Sequence, residues 1–370
     1  MNIYNWQQPD WPDFRYDLSA ISETLFAISE KMGFISGKLS HLSEHLQTEA
    51  LINLMVEEAV KTSEIEGEYI SRPDIRSSIK NKLGLSHQKI VRVHDKRANG
   101  IARLMLDVRE TFKQPLTKIK LCEWHLMLFA GVLNPNLKVG YWRINPEPMQ
   151  VVSQRNGRWI VHYEAPPSHD IPKEMQRFIR WFNSTSSGKP GAISPPVRAA
   201  IAHLYFESIH PFEDGNGRIG RAIAEKALSQ GFGYPVILSL SQAIEAKKKA
   251  YYAALHSASQ SNELTPWIHY FVNMIFDAQM YVEKQIDFII KKARFFDKFK
   301  DRLNDRQMKA IKRMIRSGTE GFEGGINAKK YMRITGASKA TATRDLQELA
   351  AIHVIKSIGK GRSIRYELVL

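Results

Sequence analysis

Apolar residues recur every three or four positions along most of the chain, which is the spacing of α-helices with one buried face. The spacing is clearest in residues 45–65, 194–209, 218–228 and 265–302. Short alternating stretches that flank turn signals occur around residues 151–163 and 354–368. Alternation of this kind indicates β-hairpins. The pattern therefore predicts a mainly α protein with two small hairpins.

The first hairpin is predicted from Gly140-Tyr141-Trp142-Arg143 and Val151-Val152, with Trp159 to Tyr163 as the returning strand. Its turn is Asn156-Gly157, a dipeptide typical of two-residue hairpin loops. The second hairpin turns at Gly359-Lys360-Gly361.

Composition narrows the class of protein. The chain has 370 residues, of which 43% are hydrophobic, enough for two or three domains with real cores. Cys122 is the only cysteine, which excludes an intrachain disulfide and a cysteine zinc site. Residues 1–13 do not resemble a signal peptide, and no apolar run approaches the ~20 residues of a membrane span. We therefore expect a cytoplasmic protein with no membrane partner.

The most informative stretch is His210 to Arg221, which reads HPFEDGNGRIGR. Pro211 disfavours helical angles at His210, so the preceding helix should end near Ile209. The glycines of Gly215-Asn216-Gly217 tolerate left-handed backbone angles, so the loop can turn its N–H groups inward. Such a loop, followed by the positive end of a helix, attracts phosphate.

Charged side chains in the same stretch complete a phosphate-handling set. Arg218 and Arg221 are three residues apart, so one helix face can present both to a polyphosphate. Asp214 suits Mg²⁺, which binds through one or two carboxylates plus phosphate oxygens. His210 can accept a proton near neutral pH. A simple glycine turn would need none of these groups.

This stretch matches the HPFxDGNGRxxR signature of Fic-domain proteins, and the chain resembles that family's protein adenylyltransferases. The resemblance implies transfer of AMP from ATP to a Ser, Thr or Tyr hydroxyl of a target protein, or of the protein itself. It makes His210 the general base and Asp214 the magnesium ligand. The phosphates would be held by Gly215, Asn216, Gly217, Arg218, Ile219, Gly220 and Arg221, with Arg221 on the γ-phosphate. A branch that phosphorylates its targets carries Lys at the position of Gly217 and is disfavoured.

A second match is Thr62 to Gly67, which fits the inhibitory motif [S/T]xxxE[G/N] of the same family. Thr62 and Glu66 are four residues apart on a predicted helix, and Gly67 is a suitable helix end. By resemblance, Glu66 pairs with Arg221 and takes it from the γ-phosphate, which misplaces the α-phosphate for attack. In some relatives the same residue positions a water that removes AMP, and the sequence does not decide between these roles.

Two further groups of residues follow from the resemblance. The first hairpin would be a flap that docks the target backbone as an added strand, with Val161, His162, Tyr163 and Glu164 bordering the nucleotide. Tyr252 would contact the adenine. An asparagine found slightly later in some relatives has no clear counterpart, and Ser259 and then Asn262 are nearest to its position.

The C-terminal region is distinct in charge and pattern. Residues 301–370 hold 15 Lys/Arg and seven Asp/Glu, so they carry +8 of the chain's net charge of +15. The predicted order of helix, helix, turn, helix and hairpin resembles a winged helix-turn-helix. The alternatives for this domain are DNA binding and protein docking or dimerisation. Groove contacts would come from Lys339, Thr341, Thr343 and Arg344, and wing contacts from Lys360 and Arg362.

These inferences give one overall hypothesis. Residues 1–90 are a helical region that contains the inhibitory helix at about 45–67, residues 91–290 are the Fic catalytic domain, and residues 291–370 are the winged helix. The protein is expected to use ATP and Mg²⁺, and a homodimer is possible within the family. The alternatives are an ATP-sensing, DNA-binding regulator without transfer activity, or a transferase of UMP or another phosphate-linked group such as phosphocholine.

Overall fold

The computed structural model describes residues 4–85, 92–132, 134, 137–155, 157–359 and 363–370. The described chain is mainly helical, as predicted, with two short antiparallel hairpins. Its helices are α1 (Ser22–Ser40), α2 (Glu44–Ile65), α3 (Arg72–Lys82), α4 (Arg97–Glu110), α5 (Lys118–Leu128), α6 (Ile171–Ser184), α7 (Pro195–Ile209), α8 (Asn216–Phe232), α9 (Leu240–Ala246), α10 (Lys248–Ala258), α11 (Thr265–Phe299), α12 (Asp305–Ile315), α13 (Ala328–Thr335) and α14 (Lys339–Ala351). The strands are β1 (Gln150–Arg155), β2 (Arg158–Glu164), β3 (Ile355–Ile358) and β4 (Arg365–Leu368).

The chain divides into two compact units, residues 1–37 with 51–282 and residues 38–50 with 283–370. The predicted division at residues 90 and 290 stays a prediction. None of the described helices is both long and apolar enough to cross a membrane.

The core of the first unit is built around α7 and α8. Helix α7 is buried on nearly all sides, because its sequence is apolar around the whole circumference, including Val197, Ile201 and Leu204. Prolines in its first turn suit a helix start, where no intrahelical N–H bond is lost. The helix ends at Ile209 as predicted, and the loop between α7 and α8 contains the HPFEDGNGRIGR stretch.

Two positive-φ residues shape that loop. His210 has φ 50° and ψ 59°, a left-handed conformation that is uncommon for a residue with a Cβ atom. The proline that follows removes the helical alternative for His210. Gly215 has φ 80° and precedes the first residue of α8, and its conformation requires little steric cost.

The first hairpin is shorter than predicted. Strands β1 and β2 pair in an antiparallel ladder with an irregularity between Val151 and Val152, but residues 140–143 are not part of it. Their polar groups bind elsewhere: the Arg143 N–H donates to Pro211 O at 2.9 Å. The Asn156 turn residue lies outside the described residues. The hairpin prediction is thus confirmed for residues 150–164 and wrong for 140–143.

The second unit has the predicted order of helices and strands. Asn304, Asn327 and Ser338 cap α12, α13 and α14 by accepting a hydrogen bond from the backbone of the third helical residue. Gly336, at φ 79°, makes the turn between α13 and α14. Strands β3 and β4 form the hairpin, whose predicted contacts Lys360 and Arg362 lie outside the described residues.

Candidate active site

A cavity of about 590 Å³ opens in the first unit beside the loop between α7 and α8. Its walls come from that loop, from the first turn of α8, from β1 and β2, from α10, and from Glu66 after α2. A volume of this size is within the range of pockets that hold small ligands. The cavity therefore brings together the three sequence segments that were singled out separately.

His210 lies at the cavity wall with a hydrogen bond that fixes its tautomer. Its Nδ1 is 3.3 Å from Glu207 O, and because a carbonyl only accepts, Nδ1 must carry the proton. The other ring nitrogen, Nε2, is then left as a proton acceptor. Burial lowers the pKa of His210 to about 4, so the ring is neutral at physiological pH.

Glu207 is a neighbour that the sequence analysis missed. It lines the cavity, and its Oε2 is 3.8 Å from His210 Nδ1. Burial, together with the nearby charge of Glu66, raises the pKa of Glu207 to about 8, so the carboxyl is protonated at neutral pH. Its position in the last turn of α7, three residues before His210, was the signal available in the sequence.

Side chains outside the motif pack against the loop between α7 and α8 and hydrogen-bond to its backbone. Arg143 is 2% exposed, and its Nε donates to His210 O at 2.8 Å. His125 stacks on Phe212 at 4.1 Å, and its Nε2 is 3.1 Å from Asp214 O. Neither residue was predicted, because nothing in their local sequence marks a contact across more than sixty residues of chain.

The side-chain amide of Asn216 is hydrogen-bonded within the loop, so it is already occupied and does not serve as a free ligand group. Its Nδ2 donates to Phe212 O at 2.9 Å, and its Oδ1 accepts from the Phe212 N–H at 3.0 Å. What the loop can offer an anion is the backbone of the first turn of α8, whose N–H groups have no intrahelical partner.

Arg221 is enclosed by the end of α2. It is 3% exposed, and its Nη2 is 2.8 Å from Glu66 Oε1. Its Nε donates to Thr62 Oγ1 at 2.8 Å and its Nη2 to Thr62 O at 2.9 Å. Burial alone would raise the pKa of Glu66, but the Arg221 charge outweighs it and lowers that pKa below its usual value. The predicted pair of Glu66 and Arg221 is therefore formed as an ion pair.

Arg218 has a carboxylate partner that the sequence analysis did not predict. Its Nη1 is 2.9 Å from Glu68 Oε1, and its Nη2 is 3.7 Å from Asp214 Oδ1. The guanidinium also lies 5.2 Å from the centre of the Phe129 ring. Both arginines of the motif thus contact carboxylates from the segment that follows α2.

The other end of the cavity is formed by the hairpin and α10. His162, Tyr163, Tyr252, His256 and Ser259 are among its lining residues. The Nδ1 atom of His256 donates to His162 O at 2.8 Å, so α10 is tied directly to β2. This end offers aromatic and polar groups of the kind that contact a base or nucleoside.

The remaining predicted residues do not border the cavity. Val161, Glu164, Arg218, Ile219 and Gly220 are outside its lining. Gly220 lies where a Cβ atom would press on Glu207 Oε1 at 2.6 Å, so its role is close packing of α8 against α7. Asn262 does not line the cavity either. Its Nδ2 donates to Asp10 Oδ1 at 2.7 Å, so it binds the N-terminal segment.

The fit of this site to magnesium rests on one carboxylate. Asp214 lines the cavity with a side chain that is 58% exposed, and its Oδ1 accepts from the Gly215 N–H at 2.5 Å. The described residues contain no cluster of three or more His, Cys, Asp or Glu side chains suited to a metal. That arrangement fits Mg²⁺, which is commonly held by one or two carboxylates plus substrate phosphates.

Comparison with family models divides the chain into three matches. Residues 4–85 match a domain of unknown function (DUF4172), and residues 115–228 match the Fic/DOC family. Residues 323–369 match the C-terminal domain of the transcriptional regulator DIP2311-like family. The second match contains the whole loop between α7 and α8.

Individual relatives agree with the second match. The chain is 27% identical over 206 residues to a protein adenylyltransferase Fic of Drosophila ananassae, a match that covers 56% of this chain and 37% of that protein. The identity to the Drosophila melanogaster protein of the same name is 32% over 117 residues, covering 32% and 22% of the two chains. The chain thus spans well under half the length of these relatives.

A solved structure shares the fold over most of the chain. The crystal structure of a Fic family protein from Desulfovibrio desulfuricans G20 superposes with a TM-score of 0.52 at 20% identity, covering 94% of this chain and 97% of that one.

Proposed function

Because residues 115–228 of this chain form a domain of the Fic/DOC family, we propose that the protein is a nucleotidyltransferase that moves AMP from ATP to a hydroxyl group of a target protein. The observation that carries this proposal is one cavity in which a neutral imidazole, the first turn of a helix and a guanidinium meet. A protein that only senses ATP would need the helix and the guanidinium, but no proton acceptor beside them.

In the proposed reaction, His210 Nε2 accepts the proton of the target hydroxyl. The hydroxyl oxygen bonds to the α-phosphorus of ATP, while the bond from that phosphorus to the oxygen bridging the β-phosphate breaks. Pyrophosphate leaves, and AMP remains on the target through a phosphodiester bond. The low pKa of His210 supports this role, because the ring holds no proton on Nε2 at neutral pH.

The phosphates would be bound by the first-turn N–H groups of α8 and by Arg221, which lines the cavity. Arg218 lies outside the cavity lining while it pairs with Glu68, and it would be a second charged partner once that pair is released. Asp214 would hold Mg²⁺, which when bound neutralises phosphate charge. The hairpin would align a target segment beside β1 or β2, because an exposed strand edge can pair with an added strand. Val152, Trp159 and Ile160 on this hairpin are exposed apolar residues, which suits such docking.

Glu66 would keep the protein inhibited. Its carboxylate already occupies Arg221, and it also places a negative charge in the cavity that the phosphates must enter. ATP must therefore displace Glu66 to bind in full, and competition for one guanidinium sets the degree of inhibition.

The test is transfer from Mg-ATP by purified Glu66→Gly protein, read by intact mass and by label from α-phosphate-labelled ATP. We expect the variant to gain one or more adenylyl groups on itself, or to label a target in lysate, while wild type labels weakly. The double variant Glu66→Gly with His210→Ala should bind ATP but transfer nothing. Equal transfer by wild type and Glu66→Gly would contradict inhibition by Glu66. Transfer by the double variant would contradict the role of His210 as the general base.

The same experiment separates the other transferase chemistries. Incubation with UTP or CDP-choline in place of ATP distinguishes UMP or phosphocholine transfer by the mass gained. A gain from one of these donors alone would replace AMP as the transferred group and leave the roles of His210 and Arg221 unchanged.

A second candidate function belongs to the C-terminal unit. This unit has a cleft with a volume of about 520 Å³. The cleft is lined by Lys309, Lys312, Arg313, Arg316 and Arg333, with Phe322 and Ile334. Lys339 and Arg344 are exposed on α14, whereas the Thr341 hydroxyl contacts the capping residue Ser338 at 2.9 Å. We propose that these cations bind the phosphates of duplex DNA.

Fluorescence anisotropy of the full chain with a labelled 20-base-pair duplex, at rising salt, tests this proposal. We expect affinity to fall steeply with salt and to fall further when Lys339 and Arg344 are replaced by Ala. Lys113→Ala is the control, because that exposed side chain lies in the first unit, outside the domain proposed to bind DNA. No binding at low salt would instead favour a protein-docking role for the domain.

A further inference from the structure

The segment that follows α2 places two carboxylates, and not one, on the arginines of the motif. Glu66 Oε1 is 2.8 Å from Arg221 Nη2, and Glu68 Oε1 is 2.9 Å from Arg218 Nη1. The sequence motif predicts only the first pair. The second pair is the observation from which the following inference starts.

The backbone explains how both carboxylates reach their partners. Gly67 has φ 78°, and its N–H donates to Glu64 O at 3.0 Å while the Glu68 N–H donates to Ser63 O at 2.9 Å. This is the closed, left-handed end of a helix that glycine favours. Because these hydrogen bonds fix the backbone on both sides of Gly67, the positions of Glu66 and Glu68 are linked through one turn.

Arg218 is buried with few polar partners, so its pairing with a carboxylate has a large effect on the arginine. The side chain is 4% exposed, and its Nε is a buried donor without a hydrogen-bond partner. Among the described residues, Asp214 is the other carboxylate within 4 Å, at 3.7 Å, and the guanidinium carbon lies 5.2 Å from the centre of the Phe129 ring. A buried cation with few partners favours any anion that reaches it.

We infer that Glu68 is a second inhibitory carboxylate, which occupies Arg218 in the way that Glu66 occupies Arg221. This inference rests on the proposed function, in which both arginines bind phosphate. Triphosphate binding then requires the release of two ion pairs that are joined by one turn. Substitution of Glu66 alone leaves Arg218 held, so it gives a partly released protein.

The inference predicts an order of nucleotide affinity. Glu68→Gln keeps the size of the side chain and removes its charge, so it should strengthen Mg-ATP binding by about two- to fivefold, the range of a partly exposed ion pair. The gain should also appear in the Glu66→Gly background, above the effect of Glu66→Gly alone. The rate of AMP transfer should rise in the same order.

Isothermal titration of Mg-ATP into the full chain, with transfer measured in parallel, is the test. The control is Glu64→Gln: Glu64 is also 26% exposed at the same helix end, but it pairs with Lys61 at 2.7 Å and contacts neither motif arginine. The control should bind ATP as wild type does. Circular dichroism of each variant establishes that it is folded.

The outcomes separate the two proposals. If Glu66→Gly transfers AMP but Glu68→Gln changes neither affinity nor rate, or weakens ATP binding, the second carboxylate is not inhibitory. If no variant transfers AMP while Glu68→Gln binds ATP more tightly than Glu64→Gln, the second carboxylate stands and the transferase proposal fails.

Discussion

Glu207 and His210 lie side by side at the cavity wall, and burial moves their pKa values in opposite directions. The pKa of the carboxyl rises to about 8, while that of the imidazole falls to about 4. Both groups are therefore neutral at pH 7, although their ordinary values would make them a charged pair at slightly acidic pH. A neutral carboxyl beside His210 cannot hold the ring in its protonated form.

This arrangement predicts the pH dependence of transfer. Burial is the largest cause of both pKa shifts and remains in Glu66→Gly protein, although the Glu66 charge is lost. In that protein kcat/KM should therefore stay level from pH 8 to about pH 5 and fall as His210 is protonated, because a protonated ring cannot accept the target proton. Transfer rates across this range measure the midpoint, and ATP binding to His210→Ala protein corrects for ionisation of the nucleotide. A midpoint near 6.5 would contradict the buried, neutral ring.

Sequence reasoning at this scale found the cavity residues that lie in a recognisable motif. His210, Asp214 and Arg221 come from one motif and Glu66 from another, and all four line the cavity. It missed residues that no motif marks, such as Arg143, which donates to the His210 carbonyl. Glu68 was within reach, since two carboxylates on either side of a helix-ending glycine match two arginines three residues apart.

At the scale of elements, the C-terminal end of α2 packs closely against the first turn of α8. A Cβ atom on Gly217, in the first turn of α8, would overlap Glu66 Oε1 and lie 3.1 Å from Arg221 Nη1. The glycine therefore leaves room for the Glu66–Arg221 contact, and its backbone angles do not call for glycine, because its φ is not positive.

A double-mutant cycle can measure that crowding. In the Glu66→Gly background, Gly217→Ala should raise the free energy of unfolding by about 0.5–1 kcal/mol, the helix preference of Ala over Gly. In wild type the new methyl must displace Glu66, so the gain should vanish or reverse. Gly33→Ala, within α1 and with open space around it, is the control and should gain equally in both backgrounds. Urea unfolding supplies the measurement, and equal effects of Gly217→Ala would count against the contact.

Helix ends were predictable because their chemistry is local. Gly67 follows the end of α2 as predicted, and Gly336 and Ser338 end and begin helices through residue types that favour those positions. The hairpin start was not predictable, since residues 140–143 have strand-like composition. Their backbone and side-chain groups bind the motif loop instead, and only the folded arrangement reveals that use.

At the scale of the whole molecule, two hydrophobic cores lie in the two units. One includes Trp124, Phe206 and Trp267, and the other includes Phe295, Ile311 and Leu346. All seven tryptophans, at positions 6, 11, 124, 142, 159, 181 and 267, belong to the first unit. Tryptophan fluorescence therefore reports on one unit, while far-ultraviolet circular dichroism reports on both.

This division predicts ligand-specific stabilisation. In Glu66→Gly protein, Mg-ATP should raise the melting temperature seen by tryptophan fluorescence, because ligand binding stabilises the unit that contains the cavity. A second transition, visible by circular dichroism alone, should not move. His210→Ala in the same background should show the same shift, since ATP binding does not need the base. A single transition that both probes follow equally would show that the two cores unfold together.

The amide of Asn216, closed onto Phe212 from both sides, has one more consequence. The loop proposed to bind phosphate is held in shape by its own hydrogen bonds, so little conformational entropy should be lost there when ATP binds. Under the proposed inhibition, the rate of release should then depend on how quickly Glu66 at the end of α2 leaves Arg221.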